Sequence, residues 1–323
     1  MGSIYPNRDR TAWIIAQRPA RSVADPFKPY SFFVERERSS SGCILESAGI
    51  LLTNRECPWH CLMCDLWKNT LPYTVPRGAI PIQIDYALNQ LSARPEQLKL
   101  YNSGSFFDPA AIPPDDYAAI AQRVGFAQHI IVESHPRLIG EKALRFRDLL
   151  DGSLEVAMGL ETVHPETLER LNKKFTLEQF AGATAFLRKE GIEVRAFVLV
   201  KPPFLDESEA IQWAVKSARF AFSCGVNAVS LIPTRPGNGA LDRLTDSGEF
   251  APPSLSALEL SLEQSLELGG GRVFADTWDL ERFSTCSTCF KQRERRLQAM
   301  NLSQAFLPAV QCSVCESRGP TIN

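Results

Sequence analysis

Apolar and polar residues alternate in blocks along this chain, and from about residue 44 the blocks predict strands and helices in regular succession. Apolar runs rich in valine, isoleucine and leucine predict six buried strands, at residues 50–53, 97–101, 129–133, 154–159, 194–200 and 228–232. Helical spacing of apolar residues predicts the intervening helices, at 81–91, 114–124, 141–150, 176–189, 207–223 and 254–268. The pattern is that of an α/β protein.

Strands that alternate with helices pair in parallel through right-handed crossovers. Periodicity alone leaves open whether they form an open doubly wound sheet or a barrel. In a barrel, the chemistry lies at the carboxyl ends of the strands. Polar or ionisable residues follow five of the predicted strands, in segments 101–106, 133–136, 159–162, 201–203 and 233–235. We therefore expect the functional site at this edge of the sheet.

Composition is ordinary for a globular protein. The chain has 323 residues, 44% apolar and 22% charged, enough for one large core with an appendage. The net charge of −2 lowers the case for nucleic acid as a partner but leaves a local basic patch open. No apolar stretch is long enough to span a membrane, and residues 1–21 lack the apolar core of a secretory signal. We therefore expect a cytoplasmic protein with reduced thiols and no membrane partner.

Three cysteines directly after the first predicted strand carry the strongest chemical signal. They are Cys57, Cys61 and Cys64, in the spacing C-x3-C-x2-C. Three thiolates on one loop can bind three irons of a [4Fe–4S] cluster and leave the fourth iron open. A zinc fragment and a disulfide are the alternatives. Zinc usually takes four ligands in C-x2-C pairs, and disulfides are rare in reducing compartments, so both are less favoured.

This cysteine spacing resembles that of the radical S-adenosylmethionine (radical SAM) superfamily. The resemblance implies a six-unit partial (β/α) barrel. It also implies that the open iron binds the amino and carboxylate groups of SAM. One electron from the cluster then cleaves SAM to a 5′-deoxyadenosyl radical, which abstracts hydrogen from the substrate. The electron would come from a reductant of the ferredoxin or flavodoxin type.

The resemblance assigns further cofactor-binding residues near the cysteines. Asn102, Ser103, Gly104 and Ser105 stand where the superfamily has a glycine-rich segment that contacts the SAM amino group. Serines replace a glycine and an acid of that segment here, and a plain turn is the alternative. Met63 precedes the last cysteine of the motif, so its backbone is expected near the adenine.

Four ionisable residues at or near the strand ends complete the candidate site. Glu133, in Glu-Ser-His-Pro, resembles an acid near SAM in relatives of the elongator catalytic subunit. Glu161 is a candidate for the SAM ribose or the substrate, because a carboxylate accepts strongly from a diol. Arg195 would bind the SAM carboxylate or form an ion pair with an acidic residue of a nearby helix. Lys201 would face the substrate or solvent. We take Glu133, Glu161 and Lys201 as the catalytic candidates.

A second set of cysteines lies near the end of the sequence. Cys286 and Cys289 form one C-x2-C pair, Cys312 and Cys315 another, and a basic helical segment at 291–296 lies between them. Four soft ligands suit structural zinc or an auxiliary [4Fe–4S] cluster. We therefore divide the chain into an amino-terminal extension at 1–43, a barrel at 44–270 and a cysteine-rich extension at 271–323.

The resemblance extends to the radical SAM subunits of archaeosine synthases. It covers residues 45–315 and is carried by the late cysteine pairs and by segments 101–109, 132–139, 159–165, 172–175 and 199–204. It implies a lyase or transferase that cleaves a C–N bond in a lysine-modified deazaguanine base of tRNA, together with a partner subunit. Modification of a small metabolite remains open, as does a non-catalytic iron–sulfur or zinc protein. Polar residues at five strand ends argue against the last.

Overall fold

Eight strands form one sheet in the order in which they occur in the chain. The computed structural model describes residues 3–317, and the strands are β1 Ser31–Arg38, β2 Ile44–Leu51, β3 Gln97–Tyr101, β4 His129–Ser134, β5 Ser153–Glu161, β6 Glu193–Val200, β7 Ala228–Pro233 and β8 Arg272–Ala275. β1 runs antiparallel to β2, and all later neighbours are parallel. The sheet curls into a half-barrel.

The six predicted strands are confirmed as β2 to β7, but the first was predicted at 50–53, whereas β2 spans Ile44–Leu51. β1 and β8 were not predicted, and each is an edge of the sheet. The sequence of β1 ends in Val-Glu-Arg-Glu-Arg, where charged residues conceal the strand pattern. β8 has only four residues and begins with the charged Arg272, which leaves an apolar run of three.

Eleven α-helices are formed by the described residues. They are α1 Arg10–Ala16, α2 Ala79–Leu88, α3 Tyr117–Val124, α4 Glu141–Arg147, α5 Pro165–Arg170, α6 Leu177–Lys189, α7 Glu207–Ser223, α8 Ala240–Asp246, α9 Leu255–Leu266, α10 Ser287–Ser303 and α11 Ser313–Ser317. Short 3₁₀ turns occur at Leu66–Asn69, Pro114–Asp116, Pro136–Leu138 and Leu280–Phe283. The predicted start of α6 is confirmed, because Thr176 and Gln179 form a capping box there. Across residues 3–317, every helix is too short or too polar to traverse a bilayer.

Buried charges tie the first strand to the interior of the half-barrel, toward the amino ends of the parallel strands. The Glu37 carboxylate on β1 accepts hydrogen bonds from Lys99 on β3 at 2.5 Å and from Arg195 on β6 at 2.6 and 3.0 Å. Arg195 also donates to Glu155 on β5 at 2.5 Å. All four side chains are buried, so each charge is compensated by a partner on another strand.

The free edge of β8 is covered by α10. The side-chain amide of Asn301 donates to the carbonyl of Ala275 and accepts from its N–H, both at 2.8 Å. The side-chain amide of Gln304, directly after α10, donates to the carbonyl of Val273 at 2.8 Å and accepts from its N–H at 2.7 Å. These two amides satisfy backbone groups that a neighbouring strand would otherwise pair.

Candidate active site at the carboxyl ends of the strands

The three-cysteine loop follows β2 and lies at the carboxyl edge of the parallel strands. Cys61 is buried, and Cys57 and Cys64 are half-buried. Burial raises the pKa of each thiol to about 12, so the thiolates are formed only when a metal compensates them. The sulfur atoms of these three cysteines are farther apart than a single ion requires. Among the described residues, they do not belong to any group of ligand atoms that all lie within 4.8 Å of one another. Each thiolate of a [4Fe–4S] cluster binds a different iron, so this wider spacing fits a cluster better than a single ion.

Asparagine side chains hold the backbone of the cysteine loop in place. Asn238 donates to the carbonyls of Leu62 at 2.7 Å and Cys64 at 3.2 Å. Asn172 donates to the carbonyl of His60 at 2.8 Å, and the N–H of Leu62 reaches the carbonyl of Leu171 at 2.9 Å. The loop conformation is therefore set by segments that lie more than a hundred residues further along the chain.

The amino-terminal segment covers the outer side of the same loop. Glu56, directly before the first cysteine, pairs with Arg18 at 2.6 Å and Arg21 at 2.5 Å. Tyr5 and Ile14 belong to a small apolar cluster that includes Leu62, and the side chain of Met63 packs against it. This arrangement directs the Met63 side chain toward the amino-terminal segment, while its backbone stays between two cysteines.

Trp59, between the first two cysteines, stacks on His135 at the end of β4. The ring centroids are 3.8 Å apart and the planes are 4° from parallel. His135 donates from Nε2 to the carbonyl of Lys173 at 2.9 Å and accepts at Nδ1 from the N–H of Arg137 at 3.2 Å. Burial, aided by the nearby Lys173 charge, lowers the pKa of His135 to about 3, so the ring is neutral.

The predicted loop after β3 lies against the cysteine loop. A side chain at Gly104 would place its Cβ 3.2 Å from the Cβ of Cys57, so a glycine allows this close approach. Glu133 accepts hydrogen bonds from the N–H groups of Asn102 at 2.5 Å and Gly104 at 3.3 Å. Ser105 accepts from the N–H of His135 at 2.8 Å. The structure thus brings four candidate residues of this loop together with Glu133 and the first cysteine.

The side chain of Asn102 in this loop points to a bound ligand. Both Oδ1 and Nδ2 of Asn102 are buried without a hydrogen-bond partner among the described residues. Buried polar atoms are nearly always paired, so a ligand is expected to satisfy them. Ser103 has a left-handed backbone, with φ of 56°, and donates to the hydroxyl of Tyr30 at 3.2 Å.

Burial raises the pKa of Glu133 to about 7, although the carboxylate accepts hydrogen bonds from backbone N–H groups.

Glu161 forms an ion pair with Lys173, which lies in segment 172–175 but to which the sequence assigned no role at the site. A bulge between Gly159 and Glu161 and a φ of 64° at Glu161 turn the carboxylate toward this lysine. A side chain at Gly159 would collide with both charged groups. Burial alone would lower the pKa of Lys173, but Glu161 and the nearby Cys61 outweigh it and the pKa rises. Lys173 is therefore a buried ammonium beside the cysteines.

Lys201 and Arg195 lie at opposite ends of the same strand. Lys201 follows β6 at the carboxyl edge and donates to Glu207 at 3.1 Å. Arg195 lies toward the amino end, where Glu37 and Glu155 take its donors. The structure therefore does not bring Arg195 to the candidate site, and its alternative role as a bridge to acidic residues describes its observed contacts. Both acids come from strands rather than from a helix.

The late cysteines form a separate site beside the start of α10. Cys286 and Cys312 have their Sγ atoms 4.0 Å apart, and those of Cys289 and Cys315 are 3.6 Å apart. All four converge within 4.8 Å. Zinc–sulfur bonds of about 2.3 Å in a tetrahedron require sulfurs about 3.8 Å apart, so the geometry fits a single ion. The N–H of Cys289 is the main cause that lowers the pKa of Cys286 to about 6.

No protein-family model matches this chain. An uncharacterized protein of Methanocaldococcus jannaschii is 26% identical over 306 residues, which cover 88% of this chain and 84% of that protein. A protein of Methanosarcina acetivorans named archaeosine synthase subunit beta is 24% identical over 240 residues, which cover 70% of this chain and 68% of that protein.

Among solved structures, Elp3 of the archaeon Methanocaldococcus infernus, lacking its amino terminus, matches with a TM-score of 0.50 at 15% identity. The match covers 69% of this chain and 59% of the Elp3 chain, so this chain spans less than two thirds of that protein. At this level of identity the likeness shows the fold alone. The chain thus shares its fold with this Elp3 structure, and it is similar in sequence to proteins named archaeosine synthase subunit beta.

Proposed function

We propose that this protein is a radical SAM enzyme in which Cys57, Cys61 and Cys64 hold a [4Fe–4S] cluster. The cluster and SAM would supply a 5′-deoxyadenosyl radical that abstracts hydrogen from the substrate. The observation that carries this proposal is the placement of the cysteine loop. It lies at the carboxyl edge of the half-barrel, in contact with Gly104 and beside the Lys173 ammonium.

The residues around the loop complement the functional groups of SAM. The unpartnered amide of Asn102 can bind its amino or carboxylate group. Lys173 supplies the positive charge for the carboxylate, a task for which Arg195 is too far from the site. Glu161 can accept from the ribose hydroxyls once Lys173 turns to the ligand. The Met63 backbone is proposed to lie along the adenine.

Glu133 and Lys201 have different proposed tasks. The carboxylate of Glu133 positions the loop at 102–105 by accepting hydrogen bonds from the backbone N–H groups of that loop, rather than by contacting SAM. Lys201, on the rim and held by Glu207, is proposed to contact the substrate. Both assignments follow from where each side chain finds its partners.

As substrate we propose a lysine-modified deazaguanine base in tRNA, in which a C–N bond is cleaved. The support is the sequence similarity to proteins named archaeosine synthase subunit beta. That name also supports a partner subunit. The net charge of −2 favours the second candidate, a small metabolite modified by the same chemistry.

At the late cysteines we propose structural Zn²⁺ in preference to an auxiliary cluster. The sulfur–sulfur separations of 3.6 and 4.0 Å suit one tetrahedral ion. A closed site of four thiolates leaves no open position for substrate, so its task is to fasten the cysteine-rich extension to the half-barrel.

The test is anaerobic reconstitution with iron and sulfide, followed by SAM and dithionite. We expect about four irons and one zinc per chain and formation of 5′-deoxyadenosine. Cys61→Ala should lose the iron and the product, whereas Cys224→Ala, outside both cysteine sets, should retain them. A Cys61→Ala protein that forms 5′-deoxyadenosine as fast as the wild type would refute the proposal. Adding tRNA that carries the lysine-modified base, or the free base, then distinguishes the two substrate classes.

A further inference from the structure

A surface cleft of about 780 Å³ lies between the amino-terminal segment and the part of the chain that spans α5 and the start of α6. Its lining includes Arg8, Arg10, Arg137 and Lys174. Arg10 is paired with Glu169 at 3.1 Å, whereas the other three cations are exposed. In a chain with a net charge of −2, the cleft is a local concentration of positive charge.

Three aromatic rings connect this cleft with the cysteine loop. Phe175 lines the cleft and packs edge-on against His135, with ring centroids 5.8 Å apart. His135 stacks in turn on Trp59, with centroids 3.8 Å apart. Trp59 lies between Cys57 and Cys61, so the series of rings ends inside the loop that is proposed to hold the cluster.

We propose that the cleft is the docking site of an acidic one-electron donor protein of the flavodoxin or ferredoxin type. This inference rests on the proposed function. In the step it serves, the donor is oxidised by one electron and the cluster is reduced by one, and no bond forms or breaks. Complexes of this kind bury little surface, and complementary charge sets their rate of association. Docking here would bring the donor to the outer side of the loop, next to the series of packed rings formed by Phe175, His135 and Trp59.

The lining favours a protein over an RNA backbone. Asp9 and Glu169 stand among the cations and would repel a continuous row of phosphates. A protein surface presents both signs of charge and can match a mixed lining. The cleft also reaches the loop through Phe175 and His135, whereas the proposed substrate contact Lys201 follows β6 at the barrel mouth.

Charge reversal tests the proposal with the full-length protein. The variant carries Arg8→Glu, Arg137→Glu and Lys174→Glu. A matched control carries Arg36→Glu, Lys189→Glu and Arg219→Glu, three exposed residues outside the cleft lining. Binding of oxidised flavodoxin and of a [4Fe–4S] ferredoxin is measured by calorimetry without reconstitution, at low and high ionic strength. We expect the cleft variant to bind a donor about tenfold more weakly than the control at low salt, with the difference reduced at high salt.

The kinetic arm uses reconstituted protein. Cluster reduction by the reduced donor should slow about tenfold in the cleft variant, whereas reduction by dithionite should be unchanged. Failure of dithionite to reduce any cluster would refute the proposed function, and the binding arm would still decide the docking site. The docking proposal is wrong if neither donor binds the wild type, or if the cleft variant binds donors like the control. Loss of bulk tRNA binding with unchanged donor binding would identify an RNA surface instead.

Discussion

The ring of Trp59 lies parallel to that of His135, 3.8 Å from it, and so joins the cysteine loop to the end of β4. The two residues are 76 positions apart in the sequence. His135 can serve as a neutral partner because its two ring nitrogens are occupied by the carbonyl of Lys173 and the N–H of Arg137. The stack therefore fixes the part of the loop between Cys57 and Cys61 without adding charge beside it.

Removal of this stack should loosen the cysteine loop. Aromatic pairs contribute about 0.5–1.5 kcal/mol beyond burial, so His135→Ala should shorten the lifetime of the reconstituted cluster in air several-fold. His135→Phe keeps an aromatic surface and should lie between wild type and His135→Ala. Absorbance decay of the cluster and iron retained after desalting measure both effects. Equal decay rates in all three proteins would show that the stack does not hold the loop.

Variants of the Glu161–Lys173 ion pair should affect the stability of the fold and the binding of SAM in different ways. Lys173→Met leaves the Glu161 carboxylate buried without its partner and should destabilise the fold by about 3 kcal/mol. It should also weaken SAM binding at least about tenfold, because the positive charge is lost. Denaturant unfolding and equilibrium dialysis measure the two effects.

The double variant Lys173→Met, Glu161→Gln is the control for this pair. It removes both charges, so we expect it to regain most of the stability while SAM binding stays weak. Restored SAM binding in the double variant would contradict a direct role of Lys173 in holding the ligand.

Glu133 should make stability depend on pH. Its pKa is about 7 in the folded chain and 4.5 ordinarily, because burial disfavours the carboxylate. Between these values the folded chain holds a proton that the unfolded chain has lost. The free energy of unfolding should therefore fall as pH rises from about 4.5 to about 7, by at most about 1.4 kcal/mol per pH unit, and this contribution should level off above pH 7.

The Glu133→Gln variant has no carboxyl group at this position and so does not take up or release this proton. Urea unfolding of the cluster-free wild type and variant across that pH range should show the variant gaining stability relative to wild type as pH rises. A constant difference between the two proteins would mean that the pKa of Glu133 is not raised.

Removal of the metal from the late cysteines should lower the stability of the fold rather than act directly on the radical reaction. Cys312→Ser should lower bound zinc from about one per chain to near zero and reduce the Tm by several degrees. Cys43→Ser, at an exposed cysteine outside both sets, is the matched control. Cobalt loaded into the wild type should give the absorption of a tetrahedral tetrathiolate site. Eight irons in the reconstituted wild type, without zinc, would instead identify an auxiliary cluster.

Predictions from the sequence succeeded where the signal is local. The order of β2 to β7 and the approximate positions of β3 to β7 followed from runs of apolar residues, because a buried parallel strand needs only its own side chains to be recognised. β2 was predicted at 50–53 but begins at Ile44. The start of a helix at Thr176 was recognisable for the same reason. β1 was missed because its charged residues point to partners on β3 and β6, which the local pattern does not contain.

The alternation of strands and helices and the two cysteine sets can be read from the sequence, since strand periodicity and cysteine spacing are properties of short segments. The half-barrel was expected only from the family resemblance of the cysteine motif. Which charges gather at the site depends on the three-dimensional fold. Arg195 and Lys201 belong to the same strand region, yet Glu37 and Glu155 hold the first at one end and Glu207 the second at the other. The Lys173 ammonium lies against Gly159, where β5 has a bulge that the local sequence pattern does not predict. A buried charge is placed by partners far along the chain, so its role is fixed by the fold as a whole.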